Sequence, residues 1–330
     1  MKLIRFEKPG PPSVLQCLDV PVPVPQAGDV LVRAHSIGVG MPDLHIRAGT
    51  YGWMPPLPAT PGTEMSGTIE RVGPGVTDRH VGQHVYATAR ERPHRGGHYA
   101  EYVVAPAEAT FVLPDTVDME AAAALANYQV GYHLLRDGAR AMKGQTILIH
   151  AAAGGMGNAL IDLSRAMGLS SIGVVSTEEK AKIARDFGAQ HTINRKTETV
   201  AERVAAVTGG RGVDLIADPV AGPTVAGNLA LLAPMGLLVI YGGLGGREHG
   251  DVLAAMRGLG RISPAIRTFS IHVWDHLVEE RRAGMRALID MLAQGQLRPR
   301  IHARLKLADA QKAHEMLASG TVVGKVLLQP

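Results

Sequence analysis

Cysteine is nearly absent: Cys17 stands alone among 330 residues. One thiol makes no intrachain disulfide and no multi-cysteine zinc site. Its setting, VLQCLDV, reads as an apolar strand in which a lone thiol is more often inert packing, with a reactive thiol as the alternative. Aromatic residues are also scarce, at 4%, and the net charge is a mild +4 with scattered arginines. That combination excludes a basic, aromatic surface for nucleic acid. No apolar run is long enough to span a bilayer, and the first residues, MKLIRFEKPG, lack the apolar core of a signal peptide. The cytoplasm is the expected location.

Hydrophobic residues make up 46% and charged residues 19%, as in a water-soluble globular chain. The length implies two domains. The 39 glycines suit a fold rich in tight turns. Residues 1 to about 120 read as β-rich, with short runs such as Val30–Ala34, Met65–Glu70, Gly82–Tyr86 and Tyr99–Val104 between Pro/Gly punctuation. From Asp118 the character changes. Asp118 is placed to N-cap a helix through Ala121–Leu135. Strands and helices then alternate: Ser171–Val175, Glu178–Phe187, Val213–Ala217, Pro223–Leu232 and Leu237–Tyr241. That rhythm predicts an α/β fold with a doubly wound parallel sheet. After about residue 265 mixed structure returns, with helices near Gly284–Gln294 and Asp309–Ser319. A nucleotide domain inserted between two pieces of a β-rich domain follows.

The middle of the chain is organised by QTILIHAAAGGMGNALIDLSRAMG, residues 145–168. An apolar strand, Thr146–His150, runs into a small-residue turn and then into helical spacing at Leu160, Ile161, Leu163 and Met167. Strand, glycine turn and helix bring backbone N–H groups and a helix N-terminus up to a pyrophosphate. Against G-x-G-x-x-G, Ala152 takes the first position, and Gly154 and Gly157 fit the other two. Gly154, Gly155 and Met156 are the phosphate-facing candidates.

Several motifs in one order resemble a known family. They are Ile37-Gly38-Val39 through Asp43, Ile46-Arg47-Ala48-Gly49, Pro61-Gly62-Thr63-Glu64 with Gly67, and Gly97-His98-Tyr99-Ala100-Glu101-Tyr102. The HAAAGGMG turn, Ala310–Glu315 and Gly324-Lys325-Val326 complete the set. The chain resembles the medium-chain dehydrogenase/reductase superfamily, in its zinc-free quinone oxidoreductase (zeta-crystallin-like) branch, over nearly its whole length. The resemblance implies a Rossmann domain at 123–265, inserted in a β-rich, GroES-like catalytic domain at 1–122 and 266–330. It also implies a homodimer, in which the strand around Leu237–Tyr241 and the segment after it could extend the sheet across subunits.

Zinc members of that superfamily take ligands from G-V-C-H-T-D-L-H and P-G-H-E segments. Here the corresponding positions read Gly38-Val39-Gly40-Met41-Pro42-Asp43-Leu44-His45 and Pro61-Gly62-Thr63-Glu64. Gly40 replaces the thiolate and Thr63 the imidazole, so a tetrahedral catalytic zinc has no ligands there. Without a Lewis acid, the remaining chemistry is hydride delivery to an electron-poor acceptor, a quinone or a conjugated carbonyl. Asp43 is read as structural. Tyr51, after Ile46-Arg47-Ala48-Gly49-Thr50, matches a tyrosine that lines the active-site mouth in the branch; its phenol can hydrogen-bond an acceptor oxygen as charge develops. A loop tyrosine packed between prolines is the alternative. The branch often has asparagine where Gly40 stands and threonine where Val130 stands, so two of its polar contacts are missing here.

The strand that would carry an acidic residue for a ribose 2′-OH ends instead at Ser176. Lys180 and Arg195 can pair with a 2′-phosphate, whereas Glu178 and Glu179 oppose it; the expected cofactor is NADPH. By resemblance, Gly242-Gly243 passes beneath the nicotinamide ribose, Phe269-Ser270 touches the carboxamide, and Lys325 lies near the cofactor cleft. The expected activity is NADPH:quinone reduction. An enone, enal or enoyl-thioester reductase and a non-catalytic, crystallin-like NADPH-binding protein are the alternatives. The charged stretch Ala89–Arg95 reads as a solvated loop.

Overall fold

The computed structural model describes residues 1–92, 94–246 and 248–330. It forms two units, Met1–Ala126 with Met285–Pro330, and Asn127–Gly284. The first unit opens with β1 (Lys2–Arg5), β2 (Gln16–Asp19), β3 (Asp29–Val39), α1 (Met41–Ala48), β4 (Glu64–Val72), β5 (His84–Thr88), β6 (Tyr102–Pro106), β7 (Thr110–Val112) and α2 (Met119–Ala122). α3 (Leu125–His133) leads into β8 (Thr146–Ile149), α4 (Gly155–Ala166), β9 (Ser170–Val175), α5 (Glu178–Asp186), β10 (His191–Asn194) and α6 (Val200–Thr208). β11 (Val213–Asp218), α7 (Val225–Leu229), β12 (Leu232–Ile240), α8 (Val252–Gly258) and β13 (Ala265–Thr268) follow. α9 (Val278–Ala293), β14 (Ile301–Lys306), α10 (Ala310–Ala318) and β15 (Lys325–Gln329) complete the chain.

In the first unit a sheet runs β14-β15-β3-β4-β5-β7, with β6 also on β3. Its core buries Ile37, Met65, Ile69, Val85 and Leu328, each contributing about 1.5–3 kcal/mol by leaving water. Register matters more for function than the core does. Val326 pairs with Val39, and Gly38 pairs with Glu64. Lys325, the Gly38–Gly40 segment and Glu64 therefore meet at one corner, although far apart in sequence. Gly38 is needed there: a Cβ would stand 2.3 Å from the Ala123 carbonyl oxygen and 2.7 Å from the Glu64 side chain.

In the second unit six parallel strands run β10-β9-β8-β11-β12-β13. Buried past their first residues, β8 (TILI) and the Ile172–Val175 end of β9 read as apolar runs. The strand order reverses between β8 and β11, the switch point at which doubly wound sheets bind ligands.

Several expectations change. Asp118 does cap a helix, its Oδ1 accepting from Glu120 N–H at 2.8 Å. That helix is α2 alone; the run to Leu135 breaks at 123–124, and residues 134–138 form a π turn. The helix expected at Pro223–Leu232 shrinks to α7 because β12 starts at Leu232, and α9 starts at Val278 rather than Gly284. β12 is hydrogen-bonded on both sides, so of the strand at Leu237–Tyr241 and the segment after it, only the latter supplies an outer strand, β13. β13 also carries the parallel sheet past 265, and the second unit ends at Gly284 rather than at 265. Cys17 is exposed, because its β2 pairs only with β1 in a two-stranded ribbon. Arg95 is buried rather than solvated, with its guanidinium donating to the Ala89, Arg90 and Arg92 carbonyls; Pro93 of the same stretch lies outside the described residues.

Two glycine substitutions test this packing with opposite signs. A Cβ on Gly157 would lie 2.5 Å from Ala151 and Ala152 backbone atoms, whereas one on Gly227 would meet nothing within 4 Å. Gly157→Ala should lower the unfolding free energy by about 2–4 kcal/mol through backbone clash. Gly227→Ala, inside α7, should raise it by roughly 0.5–1 kcal/mol. Urea unfolding of both variants checks the pair, and a neutral Gly157→Ala would contradict the close approach.

Candidate functional site

The glycine turn builds a cradle in the second unit. β8 ends at Ile149, Ala151 adopts φ 51°, and the Ala152 N–H donates to the Val174 carbonyl of β9 at 3.1 Å. This fixes the turn against the sheet. Gly154 N-caps α4 in an extended conformation, and no side chain caps the helix. Gly154, Gly155 and Met156 are partly exposed there. The first N–H groups of a helix lack intrahelical acceptors and carry the positive end of its dipole, so this end suits a pyrophosphate.

Ser176 follows the last residue of β9. The Arg195 backbone N–H donates to the Val175 carbonyl at 3.0 Å, which pins the exposed Arg195 beside Ser176. Lys180 sits in the first turn of α5, its N–H held by the Thr177 side chain at 3.2 Å. Glu178, which opposed a phosphate in the sequence, is engaged by Arg185 at 2.7 Å. Ser176 and Arg195 thus stand just past the ends of β9 and β10, Lys180 follows in the first turn of α5, and no carboxylate closes β9. This donor set fits a 2′-phosphate better than a bare ribose.

Gly242 and Gly243 follow β12. A Cβ on Gly242 would meet the Pro219 carbonyl oxygen at 2.5 Å, while Gly243 faces open space. The turn beneath them rests on Asp218, which sequence reasoning missed. Its Oδ1 accepts from Val220 N–H at 2.7 Å and Ala221 N–H at 3.0 Å, and its Oδ2 accepts from Asn228 at 2.9 Å. Asn228 Oδ1 in turn meets His150 Nε2 at 3.0 Å. Burial lowers the His150 pKa. Phe269 extends the sheet through its N–H to the Ile240 carbonyl and packs 5.6 Å from the Trp274 ring. The Ser270 hydroxyl accepts from His272 N–H at 3.3 Å, so it caps a short turn.

Tyr51 and Lys325 belong to the first unit. Tyr51 is half-buried against the β-rich core, its ring 5.7 Å from that of Trp53. Lys325 is 4% exposed and its ammonium forms an ion pair with the fully buried Glu64. The Glu64 Oε2 also accepts from Ala126 N–H at 2.7 Å and the Tyr86 hydroxyl at 3.4 Å. Beside it, Asp43 Oδ2 accepts from Gly40 N–H at 2.8 Å and Oδ1 from Gly62 N–H at 3.0 Å. Asp43 therefore ties α1 to the Pro61–Glu64 turn. Glu64 was visible only as a motif letter; its role depends on strand register.

Two sequence profiles match parts of the chain. The Alcohol dehydrogenase GroES-like domain family matches residues 26–115, and the Zinc-binding dehydrogenase family matches residues 187–328. A quinone oxidoreductase of Pseudomonas aeruginosa is 35% identical, covering 100% of this chain and 99% of that protein. The chain belongs to the medium-chain dehydrogenase/reductase superfamily, in its quinone oxidoreductase branch. A 2-haloacrylate reductase of Burkholderia sp is 32% identical over 98% of both chains. Among solved structures, Escherichia coli quinone oxidoreductase complexed with NADPH superposes with a TM-score of 0.86 at 31% identity, covering both chains fully. Among the described residues no group of three His, Cys, Asp or Glu side chains is placed to hold a metal ion, and no helix is long and apolar enough to cross a membrane.

Three buried groups of the first unit give its stability a pH profile. Burial raises the Asp43 pKa to about 7 and lowers those of His98 and His314 to about 3. Between roughly pH 4 and 6.5 the unfolded chain holds protons on both histidines that the folded chain lacks, and the folded chain holds one on Asp43 that the unfolded chain lacks. Stability should therefore fall by about 1.4 kcal/mol per pH unit as pH drops below 6.5, one net proton's worth. It should also fall as pH rises through 7, where folded Asp43 ionises. His314→Gln keeps an acceptor for the Tyr99 hydroxyl, which lies 3.1 Å from Nε2, and should flatten the acid limb. Urea unfolding between pH 4.5 and 6.5 checks this, and an unchanged slope would contradict it.

Proposed function

We propose that this chain is a zinc-independent, NADPH-dependent reductase of quinones. The carrying observation is the acid-free, basic strand end at Ser176, Lys180 and Arg195 in a chain whose zinc-ligand positions are Gly40 and Thr63. The full-length likeness to quinone oxidoreductases, one of them complexed with NADPH, supports the same reading. The α4 N-terminus at Gly154, Gly155 and Met156 holds the pyrophosphate. Arg195 and Lys180 hold the 2′-phosphate and Ser176 leaves room for it. Gly242 and Gly243 permit close approach of a ribose, and Phe269-Ser270 offers backbone groups to a carboxamide. Bound NADPH supplies a hydride equivalent, so the acceptor must already be electron-poor. The Tyr51 phenol donates a hydrogen bond to the acceptor oxygen. We also read the chain as a cytoplasmic homodimer, with β13 as the strand from which a sheet can continue into a second copy.

A second reading, reduction of an enone, enal or enoyl thioester, is favoured by the likeness to the 2-haloacrylate reductase. It places the hydride on a β-carbon instead. NADPH oxidation against quinones, enals, 2-haloacrylate and acyl thioesters separates the readings. Turnover of quinones is expected, and none would sink the first choice. Tight NADPH binding with no oxidation by any acceptor would mark a non-catalytic binding protein.

The phosphate assignment has its own test. Lys180→Ala with Arg195→Ala should weaken NADPH binding by about tenfold or more, as loss of charge-assisted hydrogen bonds does. NADH binding should change by less than about twofold on the same physical grounds. Equal losses in fluorescence titrations would displace the phosphate from these residues.

A further inference from the structure

We propose that Lys325 is a catalytic contact of the acceptor rather than of the cofactor: the absent side chain at Gly40 opens a way to its ammonium, which hydrogen-bonds the acceptor oxygen as negative charge develops there. The inference rests on the proposed reductase activity.

The geometry lies within the first unit. A Cβ on Gly40 would stand 3.6 Å from Lys325 Nζ, 3.8 Å from Asp43 Oδ2 and 3.4 Å from Pro42 Cδ. These are ordinary contact distances, so an atom placed on the side-chain face of Gly40 touches the ammonium without displacing anything. Gly40 is itself partly exposed, whereas Lys325 beneath it is almost covered. An ammonium has three donors, and among the described residues Glu64 is its one ion-pair partner.

The neighbours leave that charge usable. Glu64 shares its negative charge with Ala126 N–H and the Tyr86 hydroxyl. Asp43 is committed to two backbone N–H groups, and its desolvated carboxyl holds a proton up to about pH 7. The cluster is then a net-neutral group that presents a donor, where zinc relatives present a metal. Gly40 also supplies no carboxamide of its own to compete for the oxygen.

In the step itself, bound NADPH would supply the hydride: its donor C–H bond breaks as a bond to the acceptor forms, and the acceptor, reduced by the two electrons that NADPH gives up, takes its carbonyl π pair onto oxygen. The oxygen, held by Nζ–H, then takes a proton from water. Lys325 keeps its own proton throughout, so it acts by charge and hydrogen bonding.

The test uses 4-nitrophenol as an oxyanion probe, read by the absorbance of its phenolate. Wild-type protein should bind the phenolate and lower the apparent pKa of the probe. Gly40→Val covers Nζ, and its backbone is extended (φ −133°, ψ 167°), which valine adopts without strain. It should weaken phenolate binding about tenfold or more, the size of one charge-assisted hydrogen bond. Removing Lys325 alone would strand a buried carboxylate. The second variant is therefore the neutral pair Glu64→Gln with Lys325→Met. It should lose the probe pKa shift and at least about tenfold in kcat while keeping its NADPH dissociation constant. The opposite pattern, weakened NADPH binding with intact phenolate binding, would return Lys325 to the cofactor and overturn the proposal. If wild-type protein reduces no acceptor, the reductase reading fails, yet the phenolate titration still decides whether Nζ is reached through Gly40.

Discussion

The buried carboxylate of Glu64 is the constraint on which the first unit depends. Its acceptor sites bind four segments together: β4 itself, the Tyr86 side chain of β5, the Ala126 N–H of α3 and the Lys325 ammonium of β15. A carboxylate with 0% exposure survives there only because each oxygen is matched by a donor or a cation. The matching in turn dictates small residues around it. Gly38 has no room for a Cβ, and a Cβ on Gly40 would stand 3.6 Å from the Lys325 ammonium. The motif glycines are the space that a buried ion pair requires.

The second unit solves a different problem with the same economy of side chains. Its phosphate cradle is backbone, made by the uncapped end of α4, and its glycine-rich crossing at Gly242-Gly243 lies on a turn held by Asp218. Charged side chains, Lys180 and Arg195, stand past the ends of β9 and β10 beside Ser176. In the proposed reading, peptide groups supply the geometry and these three residues the discrimination.

The legible features were local. Strand, glycine turn and helix at 146–166 are encoded within one stretch, so spacing alone located the cradle. Ser176, Lys180 and Arg195 were named by counting from predicted strand ends, and the Arg195-to-Val175 hydrogen bond puts Arg195 beside Ser176. Features set by tertiary pairing were not legible. Lys325 read as a surface or cofactor lysine because its partner comes from β4 through the β15-β3-β4 register. Cys17 read as core because VLQCLDV is apolar, but only a wider sheet would have buried it. Likewise, nothing in Leu237–Tyr241 announces that β13 lies outside it. The continuous helix expected after Asp118 failed because propensity in an alanine-rich run does not mark where one helix stops and the next begins.

The proposed metal-free hydride transfer from NADPH is tested most directly by NADPH oxidation with a quinone, catalysed by protein that has been dialysed against a chelator and assayed for metal. Full turnover with far less than one zinc per chain is predicted. Activity that disappears with the chelator and returns on adding zinc would contradict it.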